Sequence, residues 1–482
     1  MMRQLLLVVV GLITGLPAIG RPLTVDEAVD LALENSHGIE MAEAGEAKAR
    51  AEVQEAFLAF FPSLNASAGY TRLDQVPYVE FDMGAMTGSD GGGDPCANIN
   101  VEDLPVGWTV EMAQGMCYMM MGWMAGDPNA EPAQISMGLK DNYFAKLTLE
   151  QVVFAGGAMH QSYAASRDLR SSAAEQVRLA RQQAAYDAES GFYQLILARK
   201  AVEVTGEAQE LMDAYVGQLQ SVVDVGAGNM ADLLAAKSQA ASARLDAMRT
   251  AHGAQIAERF FKVNVGLPQE EYIELVLDES SRFTELPFPH EDLLVEAINH
   301  RPDLASVDDS LKAMRHYRGA TWASWLPAII LMGNLNFKNP NYALEPEWYG
   351  SADVTVVANW ALWDRGQALK RGSAMAASIA QLKSQRELLA EMMGVEVETA
   401  ASSFEEALAE LDVADIGLQA SEEAYRLEHE RFENGVSNNT QLLAAHAARS
   451  GAKLSMLQAE TQLRISHAAL RKALGVDPEV NP

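Results

Sequence analysis

Two stretches of this chain, Ala133 to Leu267 and Glu347 to Asp477, hold no proline although the sequence contains seventeen, and they are copies of one another. At an offset of 209 residues Val153-Phe154 falls on Leu362-Trp363, Gly226 on Gly435, Leu233-Leu234 on Leu442-Leu443 and Gly266 on Gly475, without a gap. Upstream the copies continue at an offset of 265, which sets Ala32 on Ala297, Ile39 on Leu304, Phe61-Pro62 on Leu326-Pro327 and Leu64 on Ile329. The change of offset marks a 56-residue insertion in the first copy, between about residues 73 and 140. A duplicated chain is one architecture used twice. Whatever residues 21–268 fold into, residues 290–478 repeat, with 269–289 as a linker that holds Pro287 and Pro289 and 479–482 as a tail.

The missing prolines predict helices of unusual length. Ala184, Ala188, Gly191, Leu195, Ala198, Val202, Thr205, Gln209, Met212, Val216, Leu219 and Val223 recur at alternating spacings of four and three. Met393, Val397, Ala400, Phe404, Ala407 and Leu411 open the matching series in the second copy. That is a coiled-coil seam enriched in small residues, which let helices approach closely. A helix over 158–224 would be about 100 Å long at 1.5 Å per residue. Each copy then turns at a glycine, Gly226 or Gly435, which reverses the chain at little steric cost, and returns along a second helix.

Each copy begins with a helical segment, 24–60 or 290–325, that stops at Pro62 or Pro327 and gives way to alternating residues. Leu64, Ala66, Ala68 and Tyr70 share one parity and Asn65, Ser67, Gly69 and Thr71 the other; Ile329, Leu331, Leu335 and Phe337 repeat the apolar set. The next strand pairs Tyr143, Ala145, Leu147 and Leu149 with Ala352, Val354, Val356 and Ala358, while Lys146, Thr148 and Glu150 take the opposite face. Such alternation suits a lipid-facing barrel and also one face of a soluble sheet packed on helices. Four strands cannot close a barrel, since the smallest have about eight, so a barrel needs several chains.

Composition narrows the function. With 36 Lys and Arg against 66 Asp and Glu the net charge is −30 and no basic stripe occurs, which excludes nucleic acid as a partner. Cys96 and Cys117 are too few for a disulfide scaffold and lack the paired spacing of a structural zinc site. Residues 1–20 carry Arg3, an apolar run from Leu5 to Ile13, and Pro17-Ala18-Ile19-Gly20, which reads as an export signal cleaved after Gly20. No later run approaches 18 consecutive apolar residues, so a membrane location requires β-strands. Neither a phosphate-binding G-x-x-x-x-G-K-[ST] string nor an H-E-x-x-H pair occurs, and no catalytic group or cofactor is expected.

The turn strings VGAGNMADLLAA (Val225 to Ala236) and NGVSNNTQLLAA (Asn434 to Ala445), the helix ends VGLP and LGV, and the FFPSLNASAGY string around Phe61-Pro62 resemble the outer-membrane efflux protein family, the TolC-like export ducts of Gram-negative bacteria. The resemblance spans nearly all of residues 22–478. It implies a mixed α and β fold: a long α-helical coiled-coil barrel in the periplasm, and four strands per chain of a 12-stranded transmembrane β-barrel closed by a homotrimer in outer-membrane lipid. It further implies a passive exit duct for small toxic compounds, served by an inner-membrane pump through a periplasmic adaptor. Two other readings stay open: the exit duct of a type I protein secretion system, and a structural periplasmic coiled-coil or adaptor protein.

The resemblance also implies roles for particular residues. Gly226, Asn229, Asp232, Leu233, Gly435, Asn438 and Leu442 would sit at tips that meet the adaptor, with Asn229 and Asn438 also at plausible N-cap positions. In the family acidic residues near the tunnel entrance hold the helices closed and select cations. Here Asp232 matches that position, but the second copy has Gln441, with Ala444 a turn further, so an acidic ring would rest on three copies of Asp232 alone. The insertion, as a connection between barrel strands, would be extracellular, where Cys96 and Cys117 can form a disulfide. It carries nine of the 22 methionines, among them Met116, Met119, Met120, Met121 and Met124. Two uses stand for these: thioether ligands for Cu(I) or Ag(I), and adaptable apolar packing.

Overall fold

The computed structural model describes residues 21–76, 78–81, 96–97, 108–124, 133–136, 138–277, 289–290, 292–342 and 345–476. The export signal expected at 1–20 lies outside the described residues. In chain order the elements are β1 (Arg21–Leu23), α1 (Val25–Asn35), α2 (His37–Leu58), β2 (Ser63–Arg72), β3 (Tyr78–Phe81), α3 (Val110–Met124), β4 (Ala133–Ser136), β5 (Asp141–Ala155), α4 (Ala158–Asp224), α5 (Met230–Asn264), β6 (Ile273–Leu275), α6 (Leu293–His300), α7 (Pro302–Trp322), β7 (Ala328–Asn339), β8 (Tyr349–Asn359), α8 (Gln367–Glu433) and α9 (Asn439–Ala473). They fall into two compact units. One draws on residues 1–57, 157–323 and 364–482, the other on 58–156 and 324–363.

The first unit is mainly helical, and in its four longest helices the duplication holds to the residue. Helices α4 and α8 each run 67 residues and α5 and α9 each run 35, every boundary displaced by 209. Each long helix packs along its returning partner, α4 on α5 and α8 on α9, and α4 also meets α7 and α9. The cores of the copies differ in a compensating way. In the first, Leu195 and Phe261 are both buried with Phe192 and Tyr193; in the second the matching pair is Phe404 and Leu470. A phenylalanine on the long helix in one copy is thus answered by one on the returning helix in the other, which keeps the total volume that a packed core must fill. Of the seam residues, Ala184, Ala188, Leu195 and Met212 are buried, as are Met393, Val397, Ala400, Phe404 and Ala407.

The structure departs from the sequence reading at three points. The segments read as single helices over 24–60 and 290–325 are each broken in two. Ser36 takes extended backbone and its Oγ accepts from the Gly38 amide, and Arg301 is extended because it precedes Pro302, whose ring disfavours the helical conformation one residue earlier. The linker is more than a connection: Ile273, Glu274 and Leu275 form β6, parallel to Arg21, Pro22 and Leu23 of β1. Leu23 and Ile273 are fully buried there. The insertion also holds elements of its own, helix α3 and the antiparallel pair β3 and β4.

The second unit is built on a four-stranded antiparallel sheet in the order β2-β5-β7-β8. Its register brings the two parities of all four strands into line. Ala66, Leu147, Leu335 and Ala352 form one cross-strand row, and Ala68, Ala145, Phe337 and Gly350 the next. On the other face Ser67, Lys146, Asn336 and Ser351 form a row, beside Asn65, Thr148, Asn334 and Asp353. A shift by one residue would exchange the faces of a strand; the one irregularity, between Val152 and Phe154 of β5, lies toward the strand end.

Candidate functional site

Both turns between long helices are built by the same backbone device. Gly226 and Gly435 have φ of +77° and +71°. The Gly226 amide donates to the Val223 carbonyl at 2.9 Å and that of Ala227 to Val222 at 3.1 Å; Gly435 and Val436 repeat the pattern to Phe432 and Arg431 at 3.0 and 2.9 Å. These paired bonds satisfy the last carbonyls of each long helix and need a left-handed residue, which glycine supplies without a Cβ clash. The returning helices start on asparagine caps. Asn229 Oδ1 accepts from the Ala231 amide at 3.0 Å, and Asn438 Oδ1 from the Gln441 amide at 3.0 Å.

The acidic and amide positions of the two turns separate here. Asp232 is exposed in the first turn of α5, and its charge together with burial, the larger cause, pushes the Tyr215 hydroxyl above the usual tyrosine range. Gln441 is occupied with its own helix: its Oε1 accepts from the Asn438 amide at 3.4 Å and from Ser437 Oγ at 3.0 Å. Ala444 is exposed. Leu442 is half-buried, and Leu233 is only 1% exposed, packed inside its hairpin. The apolar residues that the first turn presents are Val225, Met230 and Leu234. For Leu234 the sequence signal was the doubled Leu233-Leu234, of which only one member can face inward at helical spacing.

The sheet presents a second candidate surface. Thr148 Oγ1 donates to Asn334 Oδ1 at 3.0 Å, Asn334 Nδ2 to Asp353 Oδ1 at 2.8 Å, and Asn336 Nδ2 to Asp353 Oδ2 at 2.9 Å. This network spans β5, β7 and β8 on the polar face. The charges on that face are Lys146, Lys338, Glu150 and Asp353, two of each sign. The apolar face exposes Leu64, Leu149, Leu335, Val354 and Val356. No described helix is long and apolar enough to cross a membrane. Residues of that face, in contrast, form an apolar band flanked by Tyr70 and Tyr143, stacked at 4.8 Å, toward one strand end and by Trp325 and Trp360 toward the other. Aromatic girdles around an apolar band are the pattern of a membrane-embedded sheet.

In the insertion Cys96 and Cys117 are joined by a disulfide that ties the segment to the middle of α3. Met119 is exposed and Met116 half-buried, while the side chains of Met120, Met121 and Met124 lie outside the described residues. Among the described residues no group of three or more His, Cys, Asp or Glu side chains is placed to hold a metal ion.

Comparison with known proteins bears on the chain as a whole. Residues 293–476 match the family model described as outer membrane efflux protein. No curated protein sequence matches. Among solved structures the chain is similar to the CmeC outer membrane channel of Campylobacter jejuni, at 15% identity and a TM-score of 0.73 over 94% of this chain and 85% of that one. It is also similar to the open state of the Neisseria gonorrhoeae MtrE outer membrane channel, at 16% identity and 0.68 over 94% and 88%. The outer membrane protein VceC of Vibrio cholerae gives 14% and 0.67 over 94% and 96%. At such identities the likeness is one of fold. Its second repeat thus matches the outer membrane efflux protein family by sequence, and nearly its whole length shares the fold of these outer membrane channels.

Proposed function

We propose that three copies of this chain join their sheets into one 12-stranded barrel in the outer membrane and their helices into a duct, and that the assembly is a passive exit for small toxic compounds. An inner-membrane pump would drive export through a periplasmic adaptor that meets the Gly226 and Gly435 turns. The observation that carries this reading is the two-faced sheet: among the described residues β2 and β8 are its outer strands, each paired on one side only, and its apolar face is exposed. An open edge and an unburied apolar face are both costly in water. Closing the sheet with copies of itself in lipid removes both, and three sheets of four strands exceed the minimum of about eight.

The test is growth of a deletion strain, with and without the complementing gene, on dyes, detergents, antibiotics, Cu(I), Ag(I) and Zn(II). Sensitivity to organic compounds supports this reading and leaves the insertion methionines as packing. Selective copper or silver sensitivity assigns them to metal. No sensitivity, together with a protein missing from the culture supernatant, overturns small-molecule export in favour of protein secretion.

A further inference from the structure

Near their turns the two hairpins are held by different chemistry. In α4–α5, Lys237 Nζ donates to Gln220 Oε1 at 2.8 Å, and Arg244 grips Asp213 through Nη2 at 2.8 Å and Nε at 3.1 Å. At the offset of 209 residues the second hairpin carries His446 for Lys237, His429 for Gln220 and Tyr425 for Val216. Histidine is the side chain whose ordinary charge change falls between pH 5 and 8. The duplication has therefore replaced a lysine–glutamine contact with a pair of histidines around an aromatic ring.

The geometry of that replacement is compact. His446, on α9, is 9% exposed and sits edge-on to Tyr425 of α8, with 5.6 Å between ring centroids. His429 stacks on the same tyrosine at 5.9 Å and 17°, and pairs with Glu433 at 3.5 Å. The Arg449 guanidinium lies 4.9 Å from the Tyr425 ring centre. Lys453 is engaged with Glu207 of α4 at 3.6 Å. The groups around His446 are thus Tyr425 and His429 from α8, Arg449 and Lys453 from its own helix, and Glu207 from α4. An imidazolium here would add a third cation beside Arg449 and Lys453, opposed by one carboxylate that Lys453 already holds. It would also compete with Arg449 for the single tyrosine ring.

We propose that His446 is an acid-sensitive latch: neutral, it packs against Tyr425 and holds α8 to α9; protonated, it loosens the segment from Tyr425 to Lys453 beside the Gly435 turn, while the α4–α5 hairpin stays closed. Its consequence for transport rests on the reading of these turns as the entrance of the duct: acid would ease opening at every second hairpin of the ring. Burial first, then Arg449 and Lys453, hold the His446 imidazole below the usual histidine range, with Glu207 opposing. A base depressed in the folded state stabilises it above its ordinary value of about 6.5, and that contribution is lost as pH falls through the depressed value.

The experiment is hydrogen exchange by mass spectrometry on the full-length protein in detergent at pH 7.5 and 5.5. Residues 425–450 are read against residues 216–241, which exchange under the same chemistry. We expect the relative protection of 425–450 to fall by up to about tenfold for each pH unit between 6.5 and the depressed value, and the fall to vanish in His446→Gln. No relative fall in the wild-type protein overturns the proposal without any variant, and so does an undiminished fall in a folded His446→Gln. If the fall is present and removed by His446→Gln while channel conductance is the same at both pH values, the latch stands and the reading of the turns as the entrance fails.

Discussion

Arg365 has φ of +59° at the position where the first repeat places Gly156, at φ of +60°. In both copies the next residue is a glycine, Gly157 or Gly366, also left-handed, at +87° and +76°. The path between strand and long helix is thus kept across the duplication even though one copy has lost the residue best suited to it. A side chain in this region costs about 1–2 kcal/mol relative to glycine, partly offset because glycine has more freedom to lose on folding. Arg365→Gly should therefore raise stability by up to about 1 kcal/mol, and Gly156→Ala should lower it by about 1 kcal/mol. Thermal unfolding followed by circular dichroism in detergent checks both signs.

The four left-handed glycines that follow the C-terminal ends of the long and returning helices, Gly226, Gly266, Gly435 and Gly475, fall into two classes. At Gly226 and Gly435 an added Cβ meets open space, so substitution carries only backbone strain. At Gly475 it would lie 2.9 Å from the Arg301 amide nitrogen, and at Gly266 2.4 Å from Asn35 Cβ. Gly226→Ala should cost about 1 kcal/mol, whereas Gly475→Ala should cost about 2–4 kcal/mol, since backbone atoms on both sides must move. The midpoint of thermal unfolding separates the two, and equal losses would contradict the close packing of Gly475 on Arg301.

That contrast marks what a sequence of this kind reveals. The ends of α4 and α8 were legible because proline is absent within them and a glycine follows at each end, and the strand faces were legible because their alternation is strict and repeated. The break at Ser36 carried no such signal, since no proline follows it. The pairing of β1 with β6 was hidden because three-residue strands have no readable period and their partners are some 250 residues apart. At the turns, sequence could place Asp232 and Gln441 at one shared position but not tell that Gln441 spends its side chain on a cap. Leu233 was read as a contact, and helical spacing alone cannot say which of two adjacent leucines faces in.

Acid should weaken the protein through a second histidine. His467 of α9 lies 5.9 Å from the Phe404 ring, and burial, followed by the charge of Arg471, pushes its imidazole down to about 4. Its contribution is present above the ordinary histidine value and is lost as pH falls toward 4. His467→Gln should therefore lose less stability than the wild-type protein between pH 6.5 and 4, as read from the unfolding midpoint at each pH.

Charge selection, where it occurs, should come from the helices. The polar face of the sheet carries two lysines and two carboxylates per chain and so favours neither sign. Three carboxylates about 10 Å from a passing ion are worth roughly 1 kcal/mol in water, several-fold in permeability. Asp232→Ala should lower the preference for cations in a planar bilayer by about that much, and Gln441→Ala, which removes a cap, should leave it unchanged.

The prediction on charge selection, like the proposed function, rests on sheets from several chains closing into one barrel. The most direct measurement of that claim is the mass of the intact, detergent-solubilised protein by native mass spectrometry. The account predicts a single assembly of three copies; a monomer, a dimer or a continuous range of sizes would contradict it.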